Sequence, residues 1–291
     1  MKSIYHSVLM IAFVSGLTSC YSTTPKYLFA PNSANLLAIE KKADVKAAIN
    51  YAQSKHVGKN DDSPGRQISN GLDVQIAYGI TNNVVVKADL FKKWEIDKAV
   101  NNDQTNPLRY KINYQRQGTV LSIGYYKFLD KDKKNLFTFD GGIGLGKTSF
   151  NGTYRNDSIN KYFYSANSLS YLITPALRFN ISKNYSLVLA YRLSSVDFKN
   201  IVTNDITLTK GLYATFADKN SLYGDIIIEN EFGFNRLGGI KFHWQLGVSK
   251  LYTHFNYEPV IGSQNVVDQY EYNNRFGSFG VIADLNSIFK K

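Results

Sequence analysis

Gly141-Gly142-Ile143-Gly144-Leu145-Gly146-Lys147-Thr148 satisfies the phosphate-cradling pattern G-x-x-x-x-G-K-T at every required position. In a nucleotide site the backbone amides of such a loop surround the phosphates, the lysine reaches the outer phosphates, and the threonine holds magnesium. That chemistry needs a helix starting at Lys147-Thr148. The residues that follow, Ser149-Phe150-Asn151-Gly152-Thr153-Tyr154, are β and turn formers instead. Upstream, Leu136 to Asp140 alternates as a strand, and the alternation continues through Ile143 and Leu145. The pattern therefore predicts a glycine-lined strand, with no nucleotide and no other cofactor.

Other reactive side chains are dispersed. Of the four histidines, His6 is near the start, His56 lies in a long link, His243 on the polar face of a strand, and His254 near a long-loop rim. No His, Cys, Asp and Glu cluster has metal-ligand spacing, so no metal is expected. An envelope lipid hydrolase would have to take His254 as its base, with Asp268 or Glu258 beside it. No nucleophile is marked, and the expectation is a protein that is not an enzyme. Tyr162-Phe163-Tyr164 and Tyr270-Glu271-Tyr272 flank long links; they read as interfacial aromatics in preference to a glycan or protein grip.

The chain has one cysteine, Cys20, which excludes an intramolecular disulfide. Met1-Lys2-Ser3, the apolar stretch from Val8 to Leu17, and Leu17-Thr18-Ser19-Cys20 have the order of an export signal. The last four residues resemble the bacterial lipobox, in which the cysteine becomes the lipidated first residue. Residues 1–19 are thus expected to be a lipoprotein signal peptide. Residues 20–43 are expected to form a lipid-anchored periplasmic lead, and 44–291 the folded body. The formal net charge is +11, but the basic residues are scattered and no nucleic-acid motif is present. Outer-membrane lipid headgroups and lipopolysaccharide phosphates are the expected counter-charges, and nucleic acid is not an expected partner.

These residues must be positioned by strands. Alternating apolar runs place them near 44–54, 71–79, 84–94, 118–128, 136–148, 168–180, 185–195, 222–235, 240–255 and 274–287. Short turn-rich links alternate with long polar ones at 55–70, 95–117, 149–167, 196–221 and 256–273. Short turns at one rim and long loops at the other describe an all-β, up-and-down antiparallel transmembrane barrel of about ten strands. An even strand number returns both ends to the short-turn side, which agrees with a periplasmic anchor. The polar face collects Asp73, Lys87, Asp89, Asp140, Arg178, Arg192, Asp225, Glu229, Glu231 and Lys241, expected to pair across a narrow lumen. The opposite orientation, apolar face inward, would make a soluble periplasmic lipocalin-like binder of an apolar ligand.

Pro31 to Leu37, then Glu40 to Lys46, leads into Gly71-Leu72-Asp73-Val74-Gln75-Ile76-Ala77-Tyr78-Gly79-Ile80-Thr81-Asn82. With the lipobox, this resembles small, largely uncharacterised outer-membrane β-barrel lipoproteins of Gram-negative bacteria. The specific residues cover the first quarter of the chain and the architecture covers the rest. The resemblance implies a fold and a location but no activity. The end, Ser287-Ile288-Phe289-Lys290-Lys291, resembles the aromatic-terminated strand read by the barrel assembly machinery, with two lysines as a departure. Together these readings give a non-enzymatic envelope protein with a structural, adhesive or surface-binding role through its long loops and an unknown loop partner. A narrow channel is the alternative if the lumen leaves a water path.

Overall fold

The computed structural model describes residues 32–57, 65–100, 109–154, 157–203, 221–234, 237–251 and 273–289. Its strands are β1 (Val45–Val57), β2 (Gly65–Gly79), β3 (Val84–Val100), β4 (Arg109–Phe128), β5 (Asn135–Tyr154), β6 (Asp157–Ser182), β7 (Tyr185–Thr203), β8 (Ser221–Gly233), β9 (Ile240–Leu251) and β10 (Asn273–Asp284). Each pairs antiparallel with its sequence neighbours. β10 returns to β1, from Lys46 opposite Asp284 to Gln53 opposite Gly277, so the ten strands close into one barrel.

Turn chemistry sets one rim. Thr81 Oγ1 accepts the amides of Asn83 (3.1 Å) and Val84 (3.0 Å), closing the β2–β3 turn. Asp130 Oδ1 accepts those of Lys134 (2.8 Å) and Asn135 (3.0 Å) between β4 and β5. Gly239, at φ 92°, makes the left-handed corner into β9.

The period-two pattern resolves into an outward apolar face and an inward polar one. Leu121 and Leu145 point outward, 62% and 65% exposed, whereas Asp73, Asp225 and Glu229 point inward and are 1% exposed. Apolar outward side chains such as Ile49, Ile123, Tyr171 and Ile226 continue around the barrel. Such a surface has hydrocarbon as its natural solvent, and it removes the lipocalin-like orientation. The soluble reading fails because the apolar alternates face away from the lumen.

The short-turn ends of the strands agree with the sequence to within a few residues. Of the other ends, those of β1, β8, β9 and β10 also agree to within four residues, whereas those of β2 to β7 run 6 to 11 residues further than expected. Much of the links expected at 95–117 and 149–167 is strand, with β6 alone running 26 residues, against the roughly 9 to 11 that cross a bilayer. Along β4 the outward residues change from Tyr125, Ile123 and Leu121 to the exposed Gln117, Gln115 and Asn113. Along β5 they change from Phe139, Ile143 and Leu145 to Lys147 and Ser149. On β4 and β5 the wall therefore continues past the apolar band with a polar outer face, where alternation carries little signal. At the C-terminus, the strand expected to reach 287 stops at Asp284. Leu285–Phe289 form a short helix, α1, and Phe289 is not at a strand end. Asp284 turns the chain by accepting from Ser287 N (3.1 Å) and Ser287 Oγ (2.8 Å).

Candidate functional site

The lumen is the chemically densest part of the molecule, and a segment from outside the barrel sequence occupies it. The lead was expected in the periplasm over 20–43. Residues 33–39 of it are buried inside the barrel. They alternate too little to pair as a strand, and the sheet is already closed, so their backbone polar groups need side-chain partners. The inward polar face supplies them. Ser33 N donates to Asp73 Oδ2 (2.9 Å), and Ser33 O accepts from Gln75 Nε2 (3.2 Å). Gln245 reads both backbone groups of Ala34: its Oε1 accepts from Ala34 N (2.9 Å) and its Nε2 donates to Ala34 O (2.7 Å). Lys87 Nζ donates to Asn35 O (3.0 Å), Arg178 to Leu36 O (3.0 Å) and Arg192 to Asn32 O (2.9 Å).

The same side chains neutralise one another. Lys87 Nζ lies 2.7 Å from Asp140, Arg192 Nε 2.7 Å from Asp225, and Lys93 Nζ 3.3 Å from Asp73. Arg178 lies 2.5 Å from Glu231 and 3.7 Å from Glu229, and Lys241 adds a contact to Glu231 at 3.4 Å. His243 bridges Glu229 (3.1 Å) and Asn50 (2.5 Å) through its two ring nitrogens. Asp89 accepts from Asn35 Nδ2 (2.5 Å). Buried charges are tolerated only when paired in this way.

Inward glycines make room for these long side chains. A Cβ on Gly124 would strike the Asp140 carboxylate, one on Gly71 the Lys93 stem, and one on Gly280 the Asn50 amide. The glycines of the nucleotide-like run are part of this arrangement. Gly141 to Thr148 lies wholly within β5, with Gly142, Gly144 and Gly146 facing the lumen and Lys147 facing out.

Below the polar tier the lead ends in an apolar seal. Leu37, Ala38 and Ile39 pack with Ala48, Ala77, Val85, Tyr126, Leu136 and Ile282 beside the short turns. Above it, beside Asn32, a cavity of about 50 Å³ is lined by Asp73, Asp89, Gly144, Ser170 and Arg192. That is room for a few waters.

All ten charged residues singled out from the sequence lie in the lumen, brought together with Lys93, Arg116, Asn50, Gln75, His243 and Gln245. Strand parity would have found the additional six. Nothing in the sequence marked residues 33–39 as their ligand. Cys20, His254, Glu258, Asp268 and Tyr270 to Tyr272 lie outside the described residues, as does the rest of 1–31. Among the described residues no cluster could hold a metal ion.

No family model matches the chain and no curated protein matches its sequence. Solved structures do match its fold. The transport unit of the autotransporter AIDA-I from Escherichia coli is 10% identical with a TM-score of 0.50, over 88% of this chain and 93% of that one. The outer-membrane protein OprG from Pseudomonas aeruginosa is 10% identical at TM-score 0.37, over 84% and 96%. The outer-membrane protease OmpT from E. coli is 9% identical at 0.42, over 86% and 97%. The fold is that of the outer-membrane β-barrels of Gram-negative bacteria.

Proposed function

We propose that this protein is a non-enzymatic outer-membrane barrel, lipid-anchored through Cys20, that keeps its own lumen shut. It acts in a structural or adhesive role through the strand wall and connections it holds above the membrane. The observation that carries this reading is the filled lumen. Residues 33–39 are hydrogen-bonded on several sides among paired charges, and this filling of the described lumen argues against a narrow channel. Binding is then left to the outer surface, where β3 to β7 run far beyond the apolar band. Exposed outward Lys92, Lys147 and Lys199 suit lipopolysaccharide phosphates as counter-charges. Insertion is assigned to the barrel assembly machinery.

Planar-bilayer recording tests the reading. The unaltered protein should show no steady conductance, and deletion of 32–39 should open an ohmic one. Steady conductance from the unaltered protein would make it a channel. In parallel, replacing the connections 101–108 and 204–220 by short turns should leave a folded barrel and reduce attachment of expressing cells to surfaces. Unchanged attachment would remove the adhesive role.

A further inference from the structure

The direction in which the lead runs through the lumen carries a consequence for where the chain's start must lie. Ile39 sits at the short-turn rim, against Gly79, in the apolar seal with Val85, Tyr126 and Leu136. Going backward, Leu36 meets Arg178, Asn35 meets Lys87, Ser33 meets Asp73, and Asn32 meets Arg192 in the middle of β7. The path climbs from the periplasmic rim towards the long-loop end as residue number falls.

Beside residues 33–39 the described lumen leaves no room for a second pass of chain. The cross-section beside the segment is taken by Gln75, Lys87, Asp140, Glu229, His243 and Gln245, all at most 4% exposed. A second extended pass would need the spacing of a neighbouring strand, about 4.8 Å at the least and nearer 10 Å face to face. Towards the long-loop end the cavity beside Asn32 is lined by Gly144, Gly146, Ser168, Ser170 and Ser194 together with the larger Phe91.

We propose that the barrel carries its own N-terminal chain through the lumen to the outer face, so that residues before Asn32 stand on the cell surface. An acyl group on Cys20 then enters the outer leaflet, opposite to the periplasmic anchor expected from the sequence. Asn32 lies twelve residue steps from Cys20, which fully extended span at most roughly 40 Å, enough to climb from mid-barrel past the membrane surface. The barrel is in this reading a device for displaying a tethered N-terminus. The proposal rests on the outer-membrane orientation given above, with long connections outside.

Three single substitutions test it with a membrane-impermeant maleimide, each in the otherwise unchanged chain, with the unmodified protein supplying the background from Cys20. Lys26→Cys probes the start of the chain, Lys199→Cys the high outward wall of β7, and Lys131→Cys the short turn after β4. The expected result is equal labelling of Lys26→Cys and Lys199→Cys in intact and permeabilised cells, and loss of Lys131→Cys labelling in intact cells. If Lys26→Cys labels only after permeabilisation while the other two behave as expected, threading is overturned and the proposed function stands. If Lys131→Cys labels in intact cells, or Lys199→Cys does not, the membrane orientation is overturned and threading with it.

Discussion

Replacing Lys87 by Met should be among the most damaging single changes in the lumen, and by an amount the geometry sets. Lys87 Nζ lies 2.7 Å from Asp140 and donates to Asn35 O at 3.0 Å, and the two charged side chains are 2% and 4% exposed. Removing the ammonium leaves a buried carboxylate without its partner, which costs about 3–5 kcal/mol. The Asn35 carbonyl also loses its only donor from this side chain, adding about 1–3 kcal/mol. Lys87→Met should therefore lose about 4–8 kcal/mol, most of it from the stranded charge. The double variant Lys87→Met/Asp140→Leu removes both charges and should recover about 3 kcal/mol or more, since replacing a whole buried pair by apolar groups is close to neutral. Urea unfolding of the protein in detergent micelles, read by the mobility difference between unheated and heated samples, measures both. A loss below about 1 kcal/mol in the single variant, or a double variant no better than the single, would refute the claim that the lumen is a desolvated charge network.

Two glycines of similar sequence context should behave oppositely. Gly280→Ala, whose Cβ would meet Asn50 and His243, should cost about 1–3 kcal/mol, whereas Gly141→Ala, which faces out with nothing within 4 Å, should stay within about 0.5 kcal/mol, both by the same unfolding assay. Leu121→Arg in the apolar band should cost about 2–4 kcal/mol in lipid vesicles, and Gln115→Arg higher on the same strand about 0–1 kcal/mol. Equal costs would remove the band edge drawn on β4. Gln245→Leu takes away both hydrogen bonds to Ala34. It should give flickering conductance in single-protein recordings where the parent is silent, and a silent variant would show that the other contacts of the lead hold it without Gln245.

The barrel was legible wherever the bilayer imposes a difference between the two faces of a strand. Within the band, Phe139, Ile143 and Leu145 must be apolar and Asp140 may not point outward, so period two is enforced and the short-turn ends can be placed closely. Above the band the constraint vanishes. Gln117, Gln115 and Asn113 on one face and Arg116 on the other are all polar, and continuing strand reads as loop. The lumen charges were legible by parity, and so in principle were Lys93 and His243. The occupant was not, because its recognition is by backbone. Gln245 contacts the amide and carbonyl of Ala34, and Lys87, Arg178 and Arg192 contact carbonyls, so residues 32–36 needed no distinctive side chains. Leu37, Ala38 and Ile39 fill the short-turn end of the lumen although they precede β1 and belong to no strand.

The closed ring around residues 33–39 also dictates an order of assembly. A segment that is contiguous with β1 and enclosed by the wall of the barrel cannot be inserted after the wall is complete without drawing the free end of the chain through it. The seam between β1 and β10, from Lys46–Asp284 to Gln53–Gly277, is the shortest ladder among the described residues, and it joins the first strand made to the last. Leaving that seam for the end lets the open sheet curl around the lead, with Arg178, Gln245 and Lys87 engaging it from strands in the middle and late parts of the chain. The lead then serves as a mandrel on which the wall is wound, and a chain lacking it would have to bring its buried charges together with nothing to wind around.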